Sequence, residues 1–149
     1  MTRNQISEFL ECFLPYLEHL ELWFGSDNYE DNCSVEDVRP FLCQNSFSKL
    51  KYLGLKACEF VDSIAVAAAE APVLDQLEEL DLSGGTLTDA GGKALLKSEK
   101  VLQLKRLNLH RHYISETMMG FLAAGEPVEI DVIGAEGEDA ERRYVDVAE

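Results

Sequence analysis

The stretch Leu77-Glu78-Glu79-Leu80-Asp81-Leu82-Ser83-Gly84-Gly85-Thr86-Leu87-Thr88-Asp89-Ala90-Gly91 decides the fold, because its opening pattern, L-x-x-L-x-L, recurs along the chain. Leu50-Lys51-Tyr52-Leu53-Gly54-Leu55 begins 27 residues earlier and Leu104-Lys105-Arg106-Leu107-Asn108-Leu109 begins 27 residues later. A further copy begins at Leu17, 33 residues before the one at Leu50, so it carries about six extra residues, which we assign to 26–32. A degenerate copy, Pro127-Val128-Glu129-Ile130-Asp131-Val132, closes the series. A fixed period of this length signals stacked structural units.

Within each copy the fourth and sixth positions are apolar and alternate with polar residues, the mark of a short strand with one buried face. A turn follows, carrying Cys58, Gly85 or His112 and, two residues on, Phe60, Leu87 or Ile114. Then come stretches with apolar residues at helical spacing, each opened by a residue able to cap a helix: 34–42, 62–71, 89–97 and 115–124. One strand and one helix cannot bury their own apolar faces, so the copies are expected to stack strand beside strand and helix beside helix. Parallel strands lie ~4.8 Å apart and packed helices ~8 to 10 Å apart, so such a stack bends, with the strands on the inside. The expected class is α/β: a curved solenoid with a parallel sheet on its concave side and helices on its convex side.

The string from Leu77 to Gly91 closely resembles the long, helix-containing, ribonuclease-inhibitor-like subtype of leucine-rich repeats. More narrowly, the insertion-bearing copy, Leu53-Gly54-Leu55 and the ending Arg143-Tyr144-Val145-Asp146-Val147 resemble a family of bacterial leucine-rich-repeat proteins, over about residues 15 to 149. The resemblance implies a solenoid and a binding role, and it brings no catalytic residues. It also implies a buried, inert Cys58 in the turn. His112 and Gly84-Gly85 depart from the repeat pattern and put local turn geometry in question. We read 1–149 as one domain: 1–16 as the helix of a partial repeat or cap, 17–126 as four repeats starting near 17, 50, 77 and 104, and 127–149 as a last degenerate strand with an acidic cap or tail.

With 28 Asp and Glu against 13 Lys and Arg, the formal charge is -15, which would repel the phosphates of nucleic acid and anionic membrane surfaces. Neither is an expected partner. The longest stretch of low charge, 64–69, is far too short to cross a bilayer, and nothing after Met1 reads as a secretory signal, so a cytoplasmic location is expected. Cys12, Cys33, Cys43 and Cys58 lack zinc-ligand spacing and are read as thiols outside any disulfide.

If the fourth and sixth residues of each copy point into the core, the third, fifth and seventh point the other way and align in columns across the strands. The third column reads His19, Tyr52, Glu79, Arg106, Glu129; the fifth reads Glu21, Gly54, Asp81, Asn108, Asp131; the seventh reads Trp23, Lys56, Ser83, His110, Ile133. Trp, Tyr and Arg dominate binding energy at many protein interfaces. Trp23, Tyr52, Lys56, Asp81, Arg106, Asn108 and His110 are therefore the candidate contacts for a protein partner. Two blander readings stand beside this one: Glu79 and Arg106 as an exposed ion pair, and Trp23 packed beneath the 26–32 insertion.

His110 and His112 would need further converging ligands to hold a metal, and an unrecognised hydrolase, a third reading, would have to use Asp81, Asn108 and His110, which lack any accompanying nucleophile elbow or phosphate loop. The glycine doublets at 84–85 and 91–92 fit no nucleotide-binding spacing and read as turn and tight helix packing. No metal, no cofactor and no enzymatic activity are expected. At the N-terminus, Ile6, Phe9, Leu10, Phe13 and Leu14 have the spacing of an amphipathic helix. It is either a cap or, as the resemblance favours, the outer helix of a copy whose strand is missing, and it offers a surface for weak self-association. At the C-terminus, Tyr144, Val145 and Val147 are strand formers that could fold back over the last repeat.

Overall fold

The computed structural model describes residues 1–25, 33–43, 47–125 and 127–135, and the 26–32 insertion and the segment from 136 onward lie outside the described residues. Five strands, β1 (His19–Trp23), β2 (Tyr52–Lys56), β3 (Glu79–Asp81), β4 (Arg106–Asn108) and β5 (Glu129–Asp131), form one parallel sheet in chain order. The register follows the alignment of the copies, with His19, Tyr52, Glu79, Arg106 and Glu129 level with one another. The molecule is therefore an α/β protein built from successive strand-and-helix units.

The leucines of the fourth and sixth positions carry the core. Leu53, Leu55, Leu80, Leu107 and Leu109 are fully buried, and Leu20, Leu22 and Leu82 nearly so. At the β5 edge of the described sheet Ile130 and Val132 are only partly buried.

Six helices are described: α1 (Arg3–Leu10), α2 (Val35–Leu42), α3 (Val61–Ala69), α4 (Asp89–Lys97), α5 (Glu99–Leu102) and α6 (Glu116–Ala123). α2, α3, α4 and α6 pack in succession, and α1 rests on α2. Most boundaries fall within a residue or two of expectation. α3 ends at Ala69 rather than 71, and Pro72 starts a short 3-10 turn, Pro72–Asp75. Proline lacks the N–H that would continue the helix. The N-terminal helix departs further, stopping at Leu10, so that Phe13 leaves the expected apolar face and is 88% exposed.

The starts of α4 and α6 are each fixed by the unit before them. Asp62 in α3 accepts from the backbone N–H and the hydroxyl of Thr88, the N-cap of α4, at 2.8 and 2.6 Å. Asp89 in α4 accepts the same two bonds from Ser115, the N-cap of α6, at 2.7 and 2.7 Å. The glycine doublets serve packing and turn geometry. Gly84 has φ +70°, and a methyl group at Gly85 would lie 2.6 Å from the Cys58 carbonyl oxygen. At Gly91 it would lie 2.5 Å from both Asp62 Oδ1 and Leu87 Cδ1.

The turns bear on one expectation and one doubt raised by the sequence. Cys58 is fully buried, and the cysteines form no disulfide. His112 is also fully buried: its Nδ1 accepts from the Ile114 N–H at 3.0 Å, and its Nε2 lies 2.9 Å from the Val132 carbonyl oxygen, to which it donates in the tautomer this geometry requires. His112 thus replaces a small turn residue by bonding two backbone groups.

Candidate interaction face

The third, fifth and seventh residues of the copies lie on the sheet face opposite the leucines. The fifth position decides where the seventh residue's N–H goes. Asp81, Asn108 and Asp131 each accept, through a side-chain oxygen, the N–H two residues on, that of Ser83, His110 and Ile133 at 2.9, 3.0 and 3.0 Å. Short polar side chains compete in this way with the ladder. β3, β4 and β5 have three residues each, whereas β1 and β2, with Glu21 and Gly54 at this position, have five.

Gly54 opens a gap in the fifth column, and the Tyr52 side chain leans into it. A methyl group at Gly54 would sit 3.0 Å from the Tyr52 hydroxyl and 3.1 Å from Glu21 Cγ. From there the Tyr52 hydroxyl lies 3.0 Å from Glu21 Oε2 and 2.9 Å from Asp81 Oδ2, so it bridges two carboxylates on the strands to either side. One hydroxyl has one proton to donate, so the two bonds alternate or share it. Burial, then the Asp81 charge and the bonds to both acids, raise the Tyr52 pKa far above its ordinary value and keep the phenol protonated. The His19 ring stacks on the Tyr52 ring with centroids 4.0 Å apart.

The network extends in both directions. Asn108 Nδ2 donates to Asp81 Oδ2 at 2.9 Å, and Trp23 Nε1 donates to Glu21 Oε1 at 2.6 Å. The Lys56 ammonium lies 3.6 Å from Glu21 and 3.9 Å from Asp81, and 4.5 Å from the centre of the Trp23 ring. Burial works to raise the Glu21 pKa, but the bonds from Trp23 and Tyr52 and the charge of Lys56 outweigh it, and the carboxyl is held below its ordinary value.

Of the seven candidate residues, Trp23, Tyr52, Lys56, Asp81 and Asn108 therefore form one connected cluster. Arg106 and His110 stand beside it. Arg106 lies 3.8 Å from Glu79 and 3.8 Å from Asp131, so the expected Glu79 pair exists but is shared with a second acid. Its Nε is buried and makes no hydrogen bond. His110 is tied into the face by its backbone, through Asn108. Trp23 is occupied by Glu21 and Lys56, and its alternative cover, the 26–32 insertion, lies outside the described residues. Glu21 and Gly54 stood in the columns but were not singled out: an acid reads as solvated surface and a glycine as empty, and only the placement of the Tyr52 side chain over Gly54 shows that it joins Glu21 to Asp81.

Among the described residues, no group of three or more His, Cys, Asp or Glu side chains is placed to hold a metal ion, and no helix is long and apolar enough to cross a membrane.

Comparison with known proteins places this architecture beside one solved structure. A Bacteroides fragilis protein solved by a structural genomics consortium matches 91% of this chain with a TM-score of 0.84 and 32% sequence identity. The chain spans only 39% of the length of that protein. No family model and no curated protein matches.

Proposed function

We propose that this chain is a segment of a leucine-rich-repeat solenoid of the ribonuclease-inhibitor-like subtype, acting in the cytoplasm as a non-catalytic module that binds a protein partner on the concave, strand-lined face. The period of 27 residues, the in-register parallel sheet and the inter-unit capping by Asp62 and Asp89 support the class. One observation carries the binding role: aromatic, cationic and acidic side chains from four adjacent strands, Trp23, Tyr52, Lys56, Asp81 and Asn108, are fixed to one another on the face the helices do not cover. A surface whose side chains are ordered in advance loses less entropy on association. Affinity capture with the native chain and with a folded Tyr52→Ala, Arg106→Glu double variant tests the reading. Proteins held only by the native chain are the expected result, and identical sets from both baits would overturn it.

A second reading, assembly through the N-terminal end, is favoured by a different observation. β1 is an edge strand, and beside it Phe13 and Tyr16 are 88% and 85% exposed. Exposed strand edges and apolar patches promote association. This reading requires a mass in solution that rises with concentration and returns to the monomer value in Phe13→Asp.

A further inference from the structure

The sheet face carries five acids, Glu21, Glu79, Asp81, Glu129 and Asp131, against two cations, Lys56 and Arg106. It belongs to a chain of net charge -15, so a partner that brings positive charge is favoured on electrostatic grounds. The place on this face shaped for a cation already holds one. The Lys56 ammonium sits over an indole and between two carboxylates, an arrangement that attracts any desolvated ammonium or guanidinium. Its distances of 3.6 and 3.9 Å exceed the ~2.7–2.9 Å of a charge-assisted hydrogen bond, so the internal cation is held by charge and ring contact rather than by short bonds. The rest of the cradle is fixed without it, because Trp23 and Tyr52 both hydrogen-bond Glu21, and Asp81 is anchored by the Ser83 N–H and Asn108.

We propose that the Trp23 ring, the Glu21 and Asp81 carboxylates and the Tyr52 hydroxyl form a slot for a lysine or arginine side chain of the protein partner, and that Lys56 is an internal plug which the incoming cation displaces. This rests on the reading of the sheet face as the partner surface and adds the chemistry that surface selects. The plug lowers affinity for isolated cations and reserves the slot for a basic side chain delivered with further contacts along the face.

The test uses capped Gly-Lys-Gly and Gly-Arg-Gly tripeptides, with Gly-Glu-Gly as the control. Binding is read at near-physiological salt from the indole N–H resonance of Trp23, the chain's single tryptophan. Removing the competing ammonium in Lys56→Met, or Lys56→Gln if the first variant does not fold, is expected to tighten binding of the basic tripeptides about three- to thirtyfold, the range of a weak ion pair plus one cation–π contact. Lys97→Met on α4 makes the same change in net charge away from the face and is expected to leave affinity unchanged, while Glu21→Gln is expected to weaken it.

Equal behaviour of the Lys56 and Lys97 variants, or equal shifts with Gly-Glu-Gly, overturns the slot. If that happens while the Tyr52→Ala, Arg106→Glu variant still loses its captured proteins, the partner face stands and only its preference for cations falls. If the tripeptides follow the expected order while that variant captures the native set, the slot binds cations but is not where a protein partner docks, and the partner's share of the proposal is overturned.

Discussion

At the scale of single residues, two positions connect chemistry to stability most directly. The Tyr52 hydroxyl separates two carboxylates, one of them almost fully buried, and Tyr52→Phe leaves Glu21 and Asp81 facing each other without it. We expect a loss of about 1–3 kcal/mol, the usual cost of stripping a partner from a buried polar group, measurable by urea unfolding. A loss no larger than that of an ordinary surface substitution would mean that water replaces the bridge. His112 gives a pH signature. Burial lowers its pKa below the ordinary value, although the Val132 carbonyl works in the opposite sense. As pH falls the unfolded chain takes up the proton first, so the contribution of neutral His112 is present above pH ~6.5 and is lost as pH drops through the folded pKa. Glu21, Asp37 and Glu78 have lowered pKa values, and their contributions begin to fall only as pH drops into the ordinary carboxylate range, below this window. Thermal stability should therefore fall between pH 7.5 and 5.5, and His112→Asn should flatten that slope; an unchanged slope in the variant would assign the dependence to other groups. The columns of side chains were legible from the repeat alone, because a strand period of two and the recurring L-x-x-L-x-L motif align the strands even where the copy length changes. The role of His112 was not, since its two partners, Ile114 N–H and Val132 C=O, belong to neighbouring units.

At the scale of elements, helix starts were legible as N-cap residues, and Thr88 and Ser115 do cap α4 and α6. What the residue pattern hides is that each cap is itself held by an aspartate 26 residues earlier in the chain. Asp62 and Asp89 each look like a first-turn acid favouring its own helix dipole, and their second role appears only when helices stack. Asp89→Ala should therefore uncouple α6 from α4 and cost about 1–2 kcal/mol, more than the few tenths expected from the dipole alone. Hydrogen exchange would place the damage at the N-H groups of α6; exchange rising equally in α4 and α6 would instead point to a general loss of stability. The short span of β3, β4 and β5 has a cause readable in the sequence: an Asp or Asn at the fifth position takes the N–H of the seventh residue out of the ladder. The stop of α1 at Leu10 was not legible, because the apolar spacing continues through Phe13 and Leu14 and only the turn before β1 breaks it.

At the scale of the whole molecule, the dominant unexplained quantity is charge. The chain is -15 overall, and residues 4–38 contain nine acids and no Lys or Arg. The described ion pairs are mostly exposed, such as Lys105 with Glu78 at 2.6 Å and Arg39 with Glu36 at 2.8 Å, and exposed pairs of this kind contribute little to stability. Two salt effects then oppose each other. Screening weakens these few attractive pairs, and it also relieves repulsion summed over the acid-rich N-terminal units, where the Debye length falls from ~30 Å at 0.01 M to ~8 Å at 0.15 M. Repulsion acts between many charges at long range, whereas the attractive pairs act at contact distance, where salt screens least. Relief should therefore win, and raising NaCl from 10 to 150 mM is expected to increase the melting temperature by about 2–4 °C, equivalent to roughly 1 kcal/mol for a domain of this size. A falling melting temperature would show that the ion pairs across the sheet face and at the helix ends contribute more than their exposure suggests. The net negative field would then be a feature for attracting a basic partner that costs the fold little.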